Sequence, residues 1–221
     1  MSIIDILLRY RQGLCAGLWV TLRLCAIVWF LGLVFGSLIG LAGAKWRYFV
    51  GLPSSGVSFL LSGIPILVLL FWLHYPLQSM LEIVVDPFYT AAAALLLMNI
   101  FGVADIVRNA MRDFPDQYVI AARTCGLTSR QTFFRIKLPI ILRQIIPPLL
   151  TAQVTMLQLT LFASLISVEE IFRVAQEINA QIYRPVEVYS TLAVFFLVVC
   201  LPLNGLALFL KHAYTRDLSE R

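Results

Sequence analysis

Charged residues are scarce in this chain of 221 amino acids, since Asp, Glu, Lys and Arg together make up only 13% of it. A water-soluble domain has about a quarter of its residues charged, because it must cover itself with polar groups. The deficit therefore excludes an ordinary soluble domain. Hydrophobic residues make up 60% of the chain and the mean hydropathy is +0.88, which together indicate an integral membrane protein.

Other residue types and motifs that are scarce or absent exclude further classes of protein. Four scattered cysteines are far too few for a disulfide-stabilised secreted scaffold. The two histidines, His74 and His212, lie far apart, and no group of residues has the spacing of a metal site or of a nucleophilic triad, so a membrane-embedded enzyme is disfavoured. The sequence also lacks the pattern Gly-x-x-x-x-Gly-Lys-Ser/Thr, so it has no P-loop with which to bind ATP. The aromatic and apolar content excludes disorder.

Five segments are apolar over the roughly 20 residues that a helix needs to cross a bilayer. The first is too long for the apolar part of a cleaved signal peptide, so we expect a retained helix that could begin near Leu14, with Arg23 either near its outer end or facing protein. Together the segments predict an all-α integral membrane protein with about five transmembrane helices, forming a single transmembrane domain over residues 1–221. The predicted spans are residues 24–44, 57–73, 88–107, 145–168 and 189–210.

Positive charge is concentrated in the connection between the third and fourth predicted spans. Its seven basic residues and two aspartates give a net charge of +5, equal to the surplus of the whole chain, which has 17 Lys and Arg against 12 Asp and Glu. Connections rich in Lys and Arg stay on the cytoplasmic side of a membrane. The seven basic residues are Arg108, Arg112, Arg123, Arg130, Arg135, Lys137 and Arg143.

The other connections alternate as this orientation requires. The first is basic through Lys45 and Arg47, and the second is acidic through Glu82 and Asp86. The fourth is acidic on balance and the carboxyl-terminal tail is basic, although two arginines near the start of the chain argue weakly the other way. We therefore predict that the amino terminus lies outside and the carboxyl terminus in the cytoplasm. The basic residues of the tail are Lys211, Arg216 and Arg221.

Residues 112–138 are too charged to cross the membrane and carry the signals of two short helices. The first helix would end at Gly126, a residue type that favours the turn after a helix. Thr128-Ser129-Arg130-Gln131 has the form of a capping box that opens the second, and Leu138-Pro139 would close the unit. Such a pair could dock a soluble partner or could be an interfacial amphipathic segment, and the pattern alone leaves both open.

Small residues in the first span predict close helix packing. Gly32, Gly36 and Gly40 repeat every four residues, which allows two helix backbones to approach within this chain or against a partner. In the third span, Asp105 and Arg108 lie three residues apart and can pair on one face. We expect that pair to be a structural one at the membrane boundary.

Polar side chains are frequent in the fourth span, where such groups face protein or a water-filled cavity rather than lipid. Hydrogen bonds between helices and a polar translocation path both explain them, and the two interpretations stay open. Pro65 and Pro147-Pro148 predict broken or kinked helices. Glu169 and Glu170, beyond the outer end of the span, are candidate contacts for a solute or its binding protein. The candidate path residues are Asn99, Thr151, Thr155, Gln158, Thr160 and Ser164.

The connection also resembles a known element. Ala121-Ala122-Arg123-Thr124-Cys125-Gly126-Leu127, followed by Ile136-Lys137-Leu138-Pro139, resembles the EAA loop of ABC-importer permeases. The wider chain is similar to polar-amino-acid permeases over nearly its whole length, with Gly17-Leu18-Trp19-Val20-Thr21-Leu22 matching their opening segment. Four positions depart from that pattern: Ile120 replaces the glutamate of the EAA loop, Gln158 replaces a lysine, and at residues 62–65 Ser-Gly-Ile-Pro replaces Arg-Gly-Thr-Pro at two positions.

The resemblance implies a fold like that of a type I importer permease, whose loop over residues 112–138 seats in a groove of an ATPase subunit. It implies a dimeric ATPase that holds ATP and Mg, a second permease subunit that is identical or homologous, and a periplasmic or lipid-anchored binding protein. The solute would be a small polar compound such as an amino acid, moved inward across a bacterial inner membrane. The coupling residues that the resemblance assigns are Ala121, Ala122, Arg123, Gly126, Leu127, Leu138 and Pro139.

The sequence implies no cofactor held by this chain and no nucleic-acid partner. The alternative function is that of a secondary transporter or channel that needs no ATPase. An inverted repeat and a chain of intramembrane carboxylates, which such proteins often have, are not visible in the sequence. This makes the ATP-driven importer the favoured prediction.

Overall fold

The computed structural model describes the backbone of residues 3–219 and the side chains of residues 5–214, and within the described backbone it contains no strand. Arg221 and the side chain of Arg216, both used above to predict the orientation, lie outside the described residues. The helices are α1 Ile3–Arg9, α2 Arg11–Lys45, α3 Leu52–Gly63, α4 Ile66–His74, α5 Pro76–Leu81, α6 Pro87–Arg112, α7 Asp116–Thr124, α8 Ser129–Thr132, α9 Leu138–Leu159, α10 Ile171–Ile182 and α11 Pro185–Ser219.

Within the described residues, four helical segments are long and apolar enough to cross a membrane. They are Arg11–Lys45, Pro87–Arg112, Ser129–Ile166 and Pro185–Tyr214. A fifth crossing would be the pair Arg47–Gly63 and Ile66–Leu81, which meets the same test only when its two halves are taken together. The prediction of an all-α membrane protein with about five spans is confirmed.

The second predicted span is not one continuous helix, because its two halves meet at an angle of 98°. The break lies at Ile64 and Pro65, whose ψ angles of 119° and 135° are those of extended backbone. A proline disfavours helical geometry in the residue before it and has no N–H to continue the helical hydrogen bonds. The break predicted at Pro65 is therefore confirmed, and residues 57–73 form a sharp bend rather than a straight span.

The glycines of α2 form its contact with α6. A Cβ atom at Gly36 would lie 2.6 Å from the carbonyl oxygen of Ile100, and one at Gly40 would lie 2.8 Å from that of Ala104. Any larger side chain would therefore push the two backbones apart. The predicted glycine seam is confirmed as a contact inside this chain, and it makes α6 the centre of the helical bundle.

The helix that contains α9 is longer than the sequence predicted. A π-helical turn, Phe133–Lys137, joins α8 to α9, and the N–H of Leu138 donates to the carbonyl of Phe133 five residues back. Such a turn leaves one carbonyl without a donor from its own helix. Pro139 has no N–H to donate and lies two residues after this turn, so its missing hydrogen bond coincides with the carbonyl that lacks a donor. The prediction that Leu138-Pro139 ends a second short helix is wrong, because the helix continues into the membrane.

Pro147 and Pro148 lie inside α9 and do not end it, so of the predicted break or kink the break is excluded. Their missing N–H groups would otherwise bond the carbonyls of Arg143 and Gln144, and that stretch of α9 borders an open groove. Helices in membranes tolerate proline when nearby groups can satisfy the freed carbonyls. The helix narrows to a 3-10 turn only later, at Thr160–Ile166.

α10 packs across α2 through a close backbone contact. The N–H of Ile171 donates to the hydroxyl oxygen of Thr21 at 3.1 Å, and that hydroxyl donates in turn to the carbonyl of Gly17. A Cβ atom at Gly17 would lie 2.8 Å from a methyl group of Val174. This contact fixes the connection that follows the 3-10 turn against the first half of α2.

Candidate functional site

The turn after α7 is built by two backbone hydrogen bonds. The N–H of Gly126 donates to the carbonyl of Arg123 at 3.0 Å, and the N–H of Leu127 donates to that of Ala122 at 3.1 Å. This is the Schellman arrangement, which needs a left-handed residue, and Gly126 has φ = +76°. The predicted helix stop at Gly126 is confirmed.

The predicted capping box is present in both directions. The side chain of Thr128 accepts from the N–H of Gln131 at 3.3 Å, while the side-chain oxygen of Gln131 accepts from the N–H of Thr128 at 2.9 Å. α7 and α8 are thus joined by a turn whose polar groups are satisfied at both helix ends. The connection is a rigid corner rather than a slack loop.

α7 rests on the membrane helices through one face. Ala122 of α7 is buried, and so is Phe114, two residues before α7, which packs in a cluster with Val107 of α6 and Ile141 of α9. The ammonium group of Lys137 lies 5.3 Å from the centre of the Phe114 ring, a cation–π contact that ties the π-helical turn to the start of α7.

The opposite face of α7 is open. Ile120 is 62% exposed, and its position is the one where the family pattern has glutamate. Of the predicted coupling residues, Ala121, Arg123 and Gly126 are exposed, Ala122 is buried, and Leu127, Leu138 and Pro139 are half-buried. The structure therefore brings together a short exposed surface at one end of α6 and leaves Leu138 and Pro139 in the continuing helix.

The polar side chains of the fourth span divide into an exposed and a buried group. Thr151, Thr155 and Gln158 are exposed along one face of α9. Thr160 and Ser164 are buried and donate to the backbone carbonyls of Leu157 and Leu161, each at 2.7 Å. Thr160 and Ser164 thus bond within their own helix, which is neither of the two interpretations that the sequence left open, whereas Thr151, Thr155 and Gln158 stay candidates for a path.

Asn99 belongs to the buried group. Its Nδ2 atom donates to the carbonyl of Val28 at 2.9 Å and to Oε1 of Gln153 at 3.0 Å, and Nε2 of Gln153 donates back to Oδ1 of Asn99 at 3.2 Å. A Cβ atom at Gly32 would lie 2.3 Å from Nδ2, so Gly32 provides the room that this contact needs. Asn99, which we predicted as a path residue, instead joins α2, α6 and α9 inside the chain because both ends of its amide are bonded.

The exposed hydroxyl groups of α9 bind their own helix. Thr151 donates to the carbonyl of Pro147 at 3.2 Å, and Thr155 donates to that of Thr151 at 3.1 Å. Thr151 also borders a groove of about 630 Å³ between α9 and α11, which contains Arg143 and Lys211. The exposed polar face of α9 therefore runs toward a basic groove at the end of the molecule where α7 lies.

Glu169 and Glu170 have opposite environments. Glu169 is exposed, whereas Glu170 is fully buried, and its Oε1 atom accepts the N–H of Arg173 at 2.9 Å as the cap of α10. Its Oε2 atom has no hydrogen-bond partner among the described residues. Burial raises the pKa of the Glu170 carboxyl to about 7. The predicted outer contact at Glu170 is wrong, because helix capping draws the side chain into the protein.

The predicted pair of Asp105 and Arg108 is present at the end of α6 that leads to α7, and sequence reasoning missed its partners. Arg108 is buried and also donates to the hydroxyl oxygen of Ser54 at 2.9 Å, while Ser58 donates to Asp105. Both serines lie on α3, about 50 residues away in the sequence. A contact this distant leaves no local signal, so only the fold could reveal that the pair anchors the bent segment.

Comparison with known proteins gives a consistent answer. Residues 32–216 match the family model of the "Binding-protein-dependent transport system inner membrane component". The L-cystine transport system permease protein TcyB of Bacillus subtilis is 31% identical over 209 residues, covering 94% of this chain and 87% of that protein. The glutamine transport system permease protein GlnP of Escherichia coli is 28% identical over 198 residues, covering 87% of each.

Solved structures share the fold. The crystal structure of an amino acid ABC transporter with histidines aligns with a TM-score of 0.82 at 24% identity, over 96% of this chain and 99% of that chain. A structure of the MetNI methionine ABC transporter in an inward-facing conformation aligns with a TM-score of 0.70 at 18% identity, over 93% of this chain and 98% of that chain.

Proposed function

The chain belongs to the family of binding-protein-dependent transport system inner membrane components, and we propose that it forms, with a second permease subunit, the path by which an ATPase drives an amino acid into the cell. It is a multi-pass permease of an ABC importer in the inner membrane. Its family works with an ATPase and a binding protein. The identity of the solute, the site of ATP hydrolysis and the orientation of the termini are the finer parts of the proposal.

The observation that carries the proposal is the rigid, exposed surface of α7. The Schellman turn at Gly126 and the capping box at Thr128 fix its end, and Phe114 fixes its start against α6 and α9. A soluble subunit that pushed on Ile120 and Arg123 would therefore move the membrane helices directly, without bending a loop. We propose that the ATPase docks here and holds ATP and Mg, because this chain has no P-loop of its own.

The proposed path lies along the exposed face of α9. Thr151, Thr155 and Gln158 face outward from this chain, and a polar face in a bilayer needs protein or water opposite it. A second permease subunit, identical or homologous, would enclose this face. The relatives carry names that include cystine and glutamine, and we propose a solute of the same class, an amino acid.

Reconstitution tests the proposal. The complex purified with its ATPase is placed in liposomes with the binding protein outside, and uptake of labelled L-glutamine, L-cystine and L-arginine is measured with ATP or ADP inside. We expect ATP-dependent accumulation of one of them. Uptake that is the same with ADP would favour the alternative, a secondary transporter or channel, and would overturn the proposed function.

The proposed orientation is tested by thiol labelling. Two single-cysteine proteins are prepared with the other native cysteines replaced by alanine: one carries Val84→Cys and the other keeps native Cys125. Both positions are exposed in the structure. In spheroplasts an impermeant maleimide should label only the cysteine at position 84, and Cys125 should react only after the membrane is permeabilised. Labelling in the opposite sense would contradict the orientation.

A further inference from the structure

A polar cavity of about 410 Å³ lies at the first turn of α6, and no predicted site residue except Glu169 contacts it. α6 has 26 residues, so the cavity is about 39 Å from the end of the helix that leads to α7. Arg23 reaches it from α2, Asp86 and Phe88 from the start of α6, and Ser167 and Glu169 from the turn after the fourth span. Three separate parts of the chain thus meet at the proposed outer side of the membrane.

The cavity contains charges of both signs that do not pair with one another. Within the part of the chain whose side chains are described, Arg23 has no carboxylate within 4.0 Å, and its guanidinium carbon lies 5.4 Å from the centre of the Phe88 ring. Oδ1 of Asp86 accepts the N–H of Phe88 at 2.8 Å, while Oδ2 accepts no hydrogen bond from any residue whose side chain is described. Glu169 is exposed, and no hydrogen bond or ion pair to it is found among those residues.

Unpaired charges of opposite sign around one cavity suit a ligand that carries both charges. A guanidinium binds a carboxylate through two parallel hydrogen bonds, and the cation–π contact with Phe88 holds the Arg23 guanidinium beside the cavity. Asp86 and Glu169 supply acceptors for an ammonium group. A purely acidic or purely basic ligand would meet repulsion from one side of the cavity.

We propose that this cavity binds the α-carboxylate and α-ammonium groups of an amino acid before it enters the path, with Arg23 holding the carboxylate and Asp86 and Glu169 holding the ammonium. This proposal rests on the proposed function and names the part of the solute that is recognised. It uses the groups that all α-amino acids share, so it selects the class rather than a particular side chain. The headgroup of phosphatidylethanolamine, which joins a phosphate to an ammonium, has similar chemistry and is tested as a separate source.

The test measures direct binding without the binding protein. The complex with its ATPase is placed in nanodiscs of phosphatidylglycerol, and equilibrium binding of labelled L-glutamine, L-cystine and L-arginine is measured. The amino acid that binds is then compared with its α-carboxamide, which lacks the carboxylate, and with its Nα-acetyl derivative, which lacks the ammonium. A second set of nanodiscs contains phosphatidylethanolamine as a competitor.

The variants separate the two halves of the site. Arg23→Gln should weaken binding of the amino acid about tenfold or more and leave the weak binding of the α-carboxamide unchanged. The double change Asp86→Asn and Glu169→Gln should weaken the amino acid similarly and leave the Nα-acetyl derivative unchanged. Arg23→Lys, which keeps the charge but not the planar fork, should fall between wild type and Arg23→Gln.

Matched controls remove charge elsewhere on the same side. Glu82→Gln and Arg184→Gln alter residues that do not line the cavity, and both should leave binding within twofold of wild type. Thermal unfolding of each variant shows whether it is still folded. If Arg23→Gln has lost its fold, the binding measured for Arg23→Lys replaces it in the comparison with wild type.

Three results would overturn the site. One is equal binding by wild type and a folded Arg23→Gln variant. Another is an absence of direct binding by all three amino acids in a complex that still shows ATP-driven uptake, an outcome that leaves the proposed function intact. The third is occupation by phosphatidylethanolamine with no amino acid bound in its absence.

Discussion

The buried carboxyl of Glu170 should make the stability of this protein fall as the pH rises toward neutrality. Its pKa is raised from 4.5 to about 7 because burial disfavours the charged form more than the N–H groups of Phe172 and Arg173 stabilise it. The proton is bound in both folded and unfolded states below pH 4.5. Between pH 4.5 and 7 only the folded state keeps it, so stability is lost as the pH passes through this interval. The difference of about 2.5 pKa units corresponds to about 3 kcal/mol.

Replacing the carboxyl by an amide isolates this effect. Glu170→Gln keeps an oxygen for the N–H of Arg173 and cannot ionise, although its NH2 group adds a constant cost where Oε2 has no partner. The difference in free energy of unfolding between variant and wild type should therefore move in favour of the variant by about 3 kcal/mol between pH 4.5 and pH 8. A chain of this size gains about 2–4 °C in Tm per kcal/mol, so the relative shift should be several degrees.

Thermal unfolding of the detergent-purified protein at half-unit steps of pH measures this shift. Glu169→Gln is the matched control, because it makes the same carboxyl-to-amide change at a neighbouring residue that is exposed. If the difference in Tm between Glu170→Gln and wild type stayed constant over the whole pH range, the reasoning would be refuted. They would mean that the Glu170 carboxyl is ionised at an ordinary pH despite its burial.

Three further predictions concern the coupling turn, the path and the glycine seam. Gly126→Val forces a β-branched residue to φ = +76°, at a cost of about 1–2 kcal/mol, and should uncouple ATP hydrolysis from uptake in proteoliposomes while Gly126→Asn keeps part of the coupling. Gln158→Leu should reduce uptake and leave Tm unchanged. Gln153→Leu removes the hydrogen-bond partner of the buried Asn99 amide, so it should lower Tm by the equivalent of about 1 kcal/mol. If both variants lowered Tm by similar amounts, the proposed path would be rejected. Gly36→Leu should cost about 1–3 kcal/mol by separating α2 from α6, and normal melting of this variant would contradict the seam.

Features fixed by neighbouring residues could be predicted from the sequence. The capping box at Thr128, the helix stop at Gly126 and the break at Pro65 each depend on the backbone preferences of a few consecutive residues. The glycine repeat at Gly36 depends on helical periodicity alone, which is why its role in close packing was predictable although its partner helix was not.

Features that depend on distant partners could not be predicted. The sequence shows that Asn99 and Glu170 are polar. It does not show that Asn99 forms hydrogen bonds with Gln153, or that Glu170 is buried as the cap at the start of α10. The same limit explains the error at Pro139, since proline usually ends a helix and only the π-helical turn before it lets this one continue. The sequence alone therefore does not distinguish polar residues that line a path from polar residues that hold helices together.

The buried contacts indicate where this subunit can move. Asn99 bonds α2 and α9 at the middle of α6, Arg108 bonds α3 near its end, and α7 follows after three residues. Because each of these contacts would leave a buried polar group unsatisfied if it broke, we expect α2, α3, α6 and α9 to move as one body with α7. When the ATPase pushes on α7, relative movement is then expected at two places outside this body. One is the bend at Pro65, and the other is the contact between the exposed face of α9 and a second subunit. Conformational change would therefore shift the surface that carries Thr155 and Gln158 relative to the second subunit, and this is the surface proposed to line the path.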